Sequence, residues 1–195
     1  MAAGFVYNLK PKEELEERYD VSTGIRRRGN YILDVTGLAV DSYIPSFLPV
    51  AADLKAKTAK IAVRAQVAET ADAAATKIKI AKNPYITDGM TLGNGAKGAV
   101  VKSVDRTNED YDEVTLVAAL GAKVNVNDTL FEASAASGTA PKAVANSALY
   151  ETHKVTKGIN SVALLMRAFE IEPEKLAMPF CAADKANLPY FQFNE

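Results

Sequence analysis

Side chains able to do covalent or acid–base chemistry are few in this chain, and they stand apart. There is one histidine, His153, and one cysteine, Cys181. A nucleophilic triad needs a base with a nucleophile and an orienting acid around it. No GxSxG elbow and no Cys–His pairing marks such a set, so His153, between Thr152 and Lys154, reads as a plain strand histidine. A single cysteine permits neither an intramolecular disulfide nor a multi-cysteine zinc site, and its ordinary role is that of a small buried apolar side chain. Carboxylates cluster at Glu13–Glu17 and at Glu109–Glu113. The first cluster reads as a helix face and the second as a loop, with no positive sign of a paired acid–base site. Asn108–Asp112 does not carry EF-hand spacing. Gly93, Gly95 and Gly98 satisfy GxGxxG, but the residues after Gly98 are β-branched, whereas a dinucleotide fingerprint opens a helix. The expectation is a protein without catalytic residues, metal or cofactor.

Two other groups suit contacts rather than chemistry. Arg26, Arg27 and Arg28 stand in a row within the stretch Gly24–Gly29. Arginine is enriched at interfaces and pairs bidentately with carboxylates, which makes the triplet a candidate anion-binding or subunit-contact loop. Three neighbours cannot all face one partner, so a solvated loop is the competing reading. Near the C-terminal end Tyr190, Phe191 and Phe193 place three aromatics within four residues. They need a surface to cover them, either in their own domain or in a neighbouring subunit.

Composition narrows the partners. The net charge of −1 comes from 23 basic and 24 acidic residues, which gives no electrostatic case for a nucleic-acid partner. No apolar run approaches the roughly 20 residues of a membrane span. The first residues show no basic segment followed by an apolar one, so synthesis and retention in a cytoplasm are expected. At 195 residues the chain can bury a core as one domain, or as one domain with an arm or subdomain.

The elements that would position these residues are mostly strand-like. Gly98–Asp105 and Glu113–Leu120 are β-branched runs separated by the polar Arg106–Asp112, which predicts a hairpin. Asp128–Glu132 is a third short run after a turn at Gly121. Residues 57–68 alternate with a period of two, with Ala59, Ile61, Val63, Ala65 and Val67 on one face, and residues 76–81 alternate again. Two such segments close in sequence most simply pair antiparallel. Asp88–Gly89 and Asn94–Gly95 are turn dipeptides. Earlier in the chain, Gly4–Leu9 is strand-like, Lys12–Tyr19 reads as a short helix opened by Pro11, and Tyr31–Val40 is strand-like. Pro45 and Pro49 make residues 42–50 an extended connector. Later, residues 134–146 read as an Ala/Ser/Gly linker or loop. Residues 148–155 and 161–171 follow, the second favoured as a strand because Gly158 and Pro173 bound it at strand length, and Pro173–Met178 suits one helical turn.

The expected fold is therefore mainly β: a small antiparallel β-barrel or β-tulip-like domain with an extended N-terminal arm and few short helices. The expected division is an arm with a short helix over 1–50, an antiparallel β domain over 51–133, the linker over 134–146, and a C-terminal β region over 147–195.

Resemblance adds a function class. Gly121–Ala133 is similar to the half-repeat of biotinyl and lipoyl carrier domains, but Ser134–Gly138 contains no lysine for attachment, so only the hairpin likeness survives. The run NPYITDGMTLGNG, then KGAVVKSVDRTNEDYDEVTLVAALG, then VNVNDTLFEA resembles the head fibre and capsid auxiliary (decoration) proteins of tailed phages, including the crAss-like group. A fainter likeness to the β-tulip decoration proteins of the lambda type lies in a glycine step followed by AVVKSVD. The resemblance implies a structural virion protein that binds the outer surface of the capsid, stabilising the shell or carrying a projection. Its implied partners are the major capsid protein and further copies of itself as a homo-oligomer, a trimer among the options. On this reading Arg26, Arg27, Arg28, Tyr190, Phe191 and Phe193 are candidate capsid or subunit contacts, with residues 1 to about 50 as the shell-contacting arm. The competing reading is a β-rich module that binds a glycan or another surface ligand without catalysis.

Overall fold

The computed structural model describes residues 18–194. The strand expected over Gly4–Leu9 and nearly all of the helix expected over Lys12–Tyr19 lie outside the described residues. Within them the chain is mainly β, with few short helices. Five strands come first: β1 (Asp20–Arg26), β2 (Tyr31–Asp34), β3 (Tyr43–Ile44), β4 (Pro49–Asp53) and β5 (Thr58–Ile61). A contiguous middle section carries β6 (Arg64–Gln66), β7 (Lys77–Ala81), β8 (Thr91–Gly93), β9 (Gly98–Asp105), β10 (Tyr111–Leu116) and β11 (Thr129–Glu132). The last section holds β12 (Ser147–Leu149), β13 (His153–Lys154), β14 (Ser161–Val162), β15 (Leu164–Ile171), a 3-10 turn over Pro173–Lys175, α1 (Ala182–Asn187) and β16 (Phe191–Phe193).

The middle section makes its own six-stranded sheet in the order β6-β11-β8-β9-β10-β7. The expected hairpin is there: β9 and β10 pair antiparallel through Glu113↔Asp105 and Val114↔Val104. On β10 Asp112, Val114 and Leu116 are buried while their neighbours are half-exposed, the period of two that drives one face of a sheet inward. The sheet curls until its two end strands touch, at a bridge between Val67 and Ile80 and a hydrogen bond from the Ala68 amide to the Lys79 carbonyl of 2.9 Å. The expected antiparallel pairing of residues 57–68 with 76–81 is thus present, but only through the second half of the first stretch. That stretch breaks at Ala62 and Val63, two successive buried residues that a pleated strand cannot hold on one face. β5 joins one sheet and β6 the other.

The larger sheet takes strands from both sides of this section, in the order β1-β15-β12-β4-β5-β2-β14, with β16 added in parallel to β15. Residues 20–50, expected within an extended arm, instead contribute β1, β2 and β4 to this sheet, while β3 forms a ribbon with β13. Pro49 does not prevent this, because it is the first residue of β4, where a missing N–H is tolerated. Residues 147–193 are likewise not a separate layer: β12 pairs with β4, and β15 with β1. The strand favoured over 161–171 is found as β14 and β15. The stretch expected as a linker is tied down at its end, where the Asn146 side chain accepts from the Ala52 amide (3.0 Å) and donates to the Ala52 carbonyl (2.9 Å). The side chain thereby extends the β12–β4 ladder by one step.

The main core is shared by both sheets and runs from Tyr31, Leu48 and Leu164 to Ile80, Leu92, Val114 and Leu130. Each such aliphatic side chain contributes about 1.5–3 kcal/mol by leaving water. A second core, with Phe47, Leu165, Phe180, Leu188 and Phe191, sits between the larger sheet and the C-terminal segment.

Candidate functional site

The arginine triplet is split three ways. After Arg26 the chain leaves β1 and crosses to β2, passing over β12 on the way. Arg27 is half-buried there and donates to the Ser147 hydroxyl (2.6 Å) and the Asn146 carbonyl (2.7 Å), so it straps the crossing to β12. Arg26 is exposed and lays its guanidinium over the Tyr150 ring at 5.0 Å. Arg28 is exposed, and its carbonyl accepts from Lys57 Nζ at 3.2 Å. Only Arg26 and Arg28 remain available to a partner.

The aromatic group is divided too. Phe191 is 9 % exposed and packs with Phe47 and Phe180, the ring centroids 6.0 and 6.5 Å away. Phe193 is half-buried, 5.3 Å from Phe180, with Lys185 Nζ over its ring at 4.9 Å. Tyr19 extends the same group through Phe47 at 4.9 Å. Burial and a neighbouring tyrosine, Tyr150, push the Tyr19 hydroxyl pKa above its ordinary value. Two of the three aromatics are thus covered by their own chain, and Tyr190, 60 % exposed, faces out.

The residues that could have carried chemistry are engaged in structure. His153 Nε2 lies 2.9 Å from the Asn160 side-chain oxygen, which also accepts from the Thr156 amide at 2.8 Å. Cys181 is buried, and burial raises its thiol pKa. The glycine motif receives backbone rather than a ligand. A Cβ on Gly93 or Gly98 would lie 2.5 or 2.6 Å from Gly138, and one on Gly138 would lie 2.2 Å from the Lys97 carbonyl oxygen. The Gly95 amide donates to the Gly138 carbonyl at 3.0 Å. Gly93 and Gly98, together with the distant Gly138, let the 134–140 loop lie directly on the β8–β9 turn.

The residues that join the two sheets were not singled out by their sequence. Arg64, at the start of β6, is 0 % exposed, and so is Asp184 of α1. Arg64 donates from Nε and Nη2 to the two oxygens of Asp184, both at 2.7 Å, and also to the Val63 carbonyl (2.8 Å) and the Ala143 carbonyl (2.6 Å). Asp184 in turn accepts from the amides of Ala145 (2.7 Å) and Cys181 (3.0 Å), the latter one half of a capping box that begins α1. The bond network continues. Asn83 donates to the Arg64 carbonyl at 2.5 Å, and its amide bonds the buried carboxylate of Asp112, which Lys82 meets at 2.9 Å. The one available signal was a charged residue in the apolar run Ile61–Val67, which implies a buried partner without naming it.

A groove of about 470 Å³ opens beside this junction, where the two sheets meet. Its walls carry two ion pairs, Lys60–Asp34 at 3.5 Å and Lys142–Glu132 at 2.6 Å. A hydrogen bond from Thr36 holds the Asp34 carboxyl below its usual range. Tyr85 and Met90 line the floor, and burial pushes the Tyr85 hydroxyl up to about 12. Among the described residues no cluster of three or more His, Cys, Asp or Glu could hold a metal ion.

What fold and site define is a mainly-β protein of two curled sheets, locked by a buried ion pair, in which most of the conspicuous side chains serve packing. No curated protein and no solved structure matches the chain. The family model described as "Head fiber protein" matches residues 1–193, and the chain belongs to this phage head fibre family. Membership makes it a structural, virion-associated protein.

Proposed function

We propose that the protein binds the outer surface of a phage capsid, as an auxiliary protein or head fibre, and works there as a homo-oligomer that stabilises the shell or carries a projection. The family match over residues 1–193 carries this reading. The assignment of Arg27, Phe191, His153 and the glycine motif to internal structure agrees with it. Such a protein acts through buried area and shape, with few individually decisive groups. Its partner on the shell is the major capsid protein. Of the six candidate contacts, Arg26, Arg28 and Tyr190 are the ones whose side chains are exposed to meet it.

The test is co-sedimentation of the purified full-length chain with capsids that lack it. The expected result is saturable binding at a stoichiometry set by the shell's symmetry, weakened by Arg26→Glu or Tyr190→Ala. A chain that stays in the supernatant at all concentrations, or one that binds oligosaccharide and ignores capsids, overturns the proposal.

A further inference from the structure

Two surface features at one end of the larger sheet are complementary to each other. The first is the turn between β4 and β5. Asp53 accepts from the amides of Lys55 (2.9 Å) and Ala56 (2.8 Å), which folds the turn back on itself. Lys57 takes a positive φ of 56°, a conformation disfavoured for a side-chain-bearing residue. It is held there by bonds from Nζ to the Arg28 carbonyl and the Tyr31 hydroxyl, both 3.2 Å, and by the Tyr31 ring at 4.7 Å. The result is a rigid knob with Leu54, 46 % exposed, at its tip. Arg28, Lys55 and Lys57 surround it against the single carboxylate of Asp53, and among the described residues none of these three cations makes an ion pair.

The second feature is a groove of about 390 Å³ between the start of β1 and the end of β15. Its lining is mainly polar, since the Tyr19 ring packs inward on Phe47, and Val21, 58 % exposed, is its one exposed aliphatic side chain. Asp20, Glu170 and Glu172 line it against one ammonium, Lys175. Among the described residues none of these three carboxylates is ion-paired. Knob and groove therefore match in charge: cations around an exposed Leu on the one, carboxylates beside an exposed Val on the other.

They cannot meet within one molecule. Ala148 pairs with both Leu165 and Pro49, so Asp53 lies level with Phe169, the partner of Asp20. The two features thus share one end of the sheet, with β15 and β12 between them, roughly 14 Å apart at about 4.8 Å per strand spacing. A two-fold axis between them places each knob in the other copy's groove and makes both contacts at once. The geometry points to a two-fold dimer of this chain, in which Arg28 and Lys55 of each copy meet Glu170 and Glu172 of the other and Leu54 packs against the exposed Val21. This contact refines the homo-oligomer part of the proposed function, and capsid co-sedimentation reads the other part separately.

Charge reversal tests it on the full-length chain, by sedimentation velocity and native mass spectrometry at low salt. The wild type is expected to dimerise, and more weakly at 1 M salt, where charges are screened beyond about 3 Å. Arg28→Glu with Lys55→Glu, or separately Glu170→Lys with Glu172→Lys, is expected to weaken the homodimer by at least about a hundredfold, since each puts like charges face to face. An equimolar mixture of the two variants is expected to form a 1:1 heterodimer, and the fourfold variant to recover self-association. Circular dichroism confirms that each variant is folded, and Glu172→Lys alone serves where the pair is not. A wild type that stays monomeric at low salt, variants that associate as the wild type does, or a mixture that remains monomeric overturns the contact. A closed ring of three or more copies overturns the two-fold closure.

Discussion

The two sheets are built from the chain in opposite ways. The smaller one uses residues 64–132 in a single pass, with local turns joining β8 to β9 and β9 to β10 and the first strand closing on the last, β6 on β11. The larger one uses what comes before and after, so that β4 finds β12 and β1 finds β15 across the whole intervening section. Closing such long loops costs entropy before any pairing repays it. The larger sheet carries side-chain ties across that section, Arg27 on Ser147 and Asn146 on Ala52, and the Arg64–Asp184 pair fastens β6 of the smaller sheet to the C-terminal helix. The contrast predicts that the larger sheet depends on a few long-range side chains, and the smaller one on turn geometry and pleat.

The strongest way to break this contrast is at the junction. Arg64→Ala leaves Asp184 buried without its partner and is expected to cost about 3–5 kcal/mol by chemical denaturation. Replacing both, as Arg64→Met with Asp184→Leu, is expected to recover most of that loss, because the orphaned charge is gone. If the single variant costs less than 1 kcal/mol, the junction is not what holds the sheets together. Next comes Phe191→Ala, at about 3 kcal/mol for removing a ring from the second core, while Tyr190→Ala is expected to change stability by less than about 0.5 kcal/mol. Hydrogen exchange in Phe191→Ala should rise in β15 and β16 and stay unchanged in β9 and β10.

Within the smaller sheet the sensitive place is a loop contact. Gly138→Ala combines a left-handed φ of 68° with a Cβ 2.2 Å from a carbonyl oxygen, and is expected to cost about 2–3 kcal/mol. Gly95→Ala, with a similar φ but open space, should cost only about 1 kcal/mol. Equal losses at the two sites would show that crowding against Lys97 is relieved by movement. A last effect is alkaline. The folded-state pKa of Tyr85 lies above that of the unfolded chain, so its contribution is complete below about pH 10 and is lost as pH rises toward about 12. Stability measured across that range should fall by on the order of 2 kcal/mol, and Tyr85→Phe should flatten the decline.

The same contrast sets what could be read from sequence. The β9–β10 hairpin, the Asn94–Gly95 turn and the alternation of β7 were legible because their determinants are neighbours in the chain. The larger sheet was not, because nothing in Tyr31–Asp34 or Pro49–Asp53 says which distant strand lies beside it, and two prolines made the region resemble a connector. For the contact residues, type was legible and direction was not. Arg27 differs from Arg26 and Arg28 only through Asn146 and Ser147, far away in sequence. Arg64 falls on the polar side of the alternating 57–68 stretch, and only the fold shows that it is buried and that its carboxylate partner arrives on a helix near the other end of the chain.

The described chain begins and finishes at one place. The Arg18 carbonyl accepts from the Glu172 amide at 3.0 Å, and the Asn194 amide donates to the Ile171 carbonyl at 2.8 Å, so both ends flank adjacent residues at the tip of β15. A short linker could join residue 194 to residue 18, and the chain could be reopened in the exposed turn over residues 72–74 without cutting a strand of either sheet. Topologically the described part of the chain is closer to a loop than to a thread, with the smaller sheet as an insert carried between the two halves of the larger.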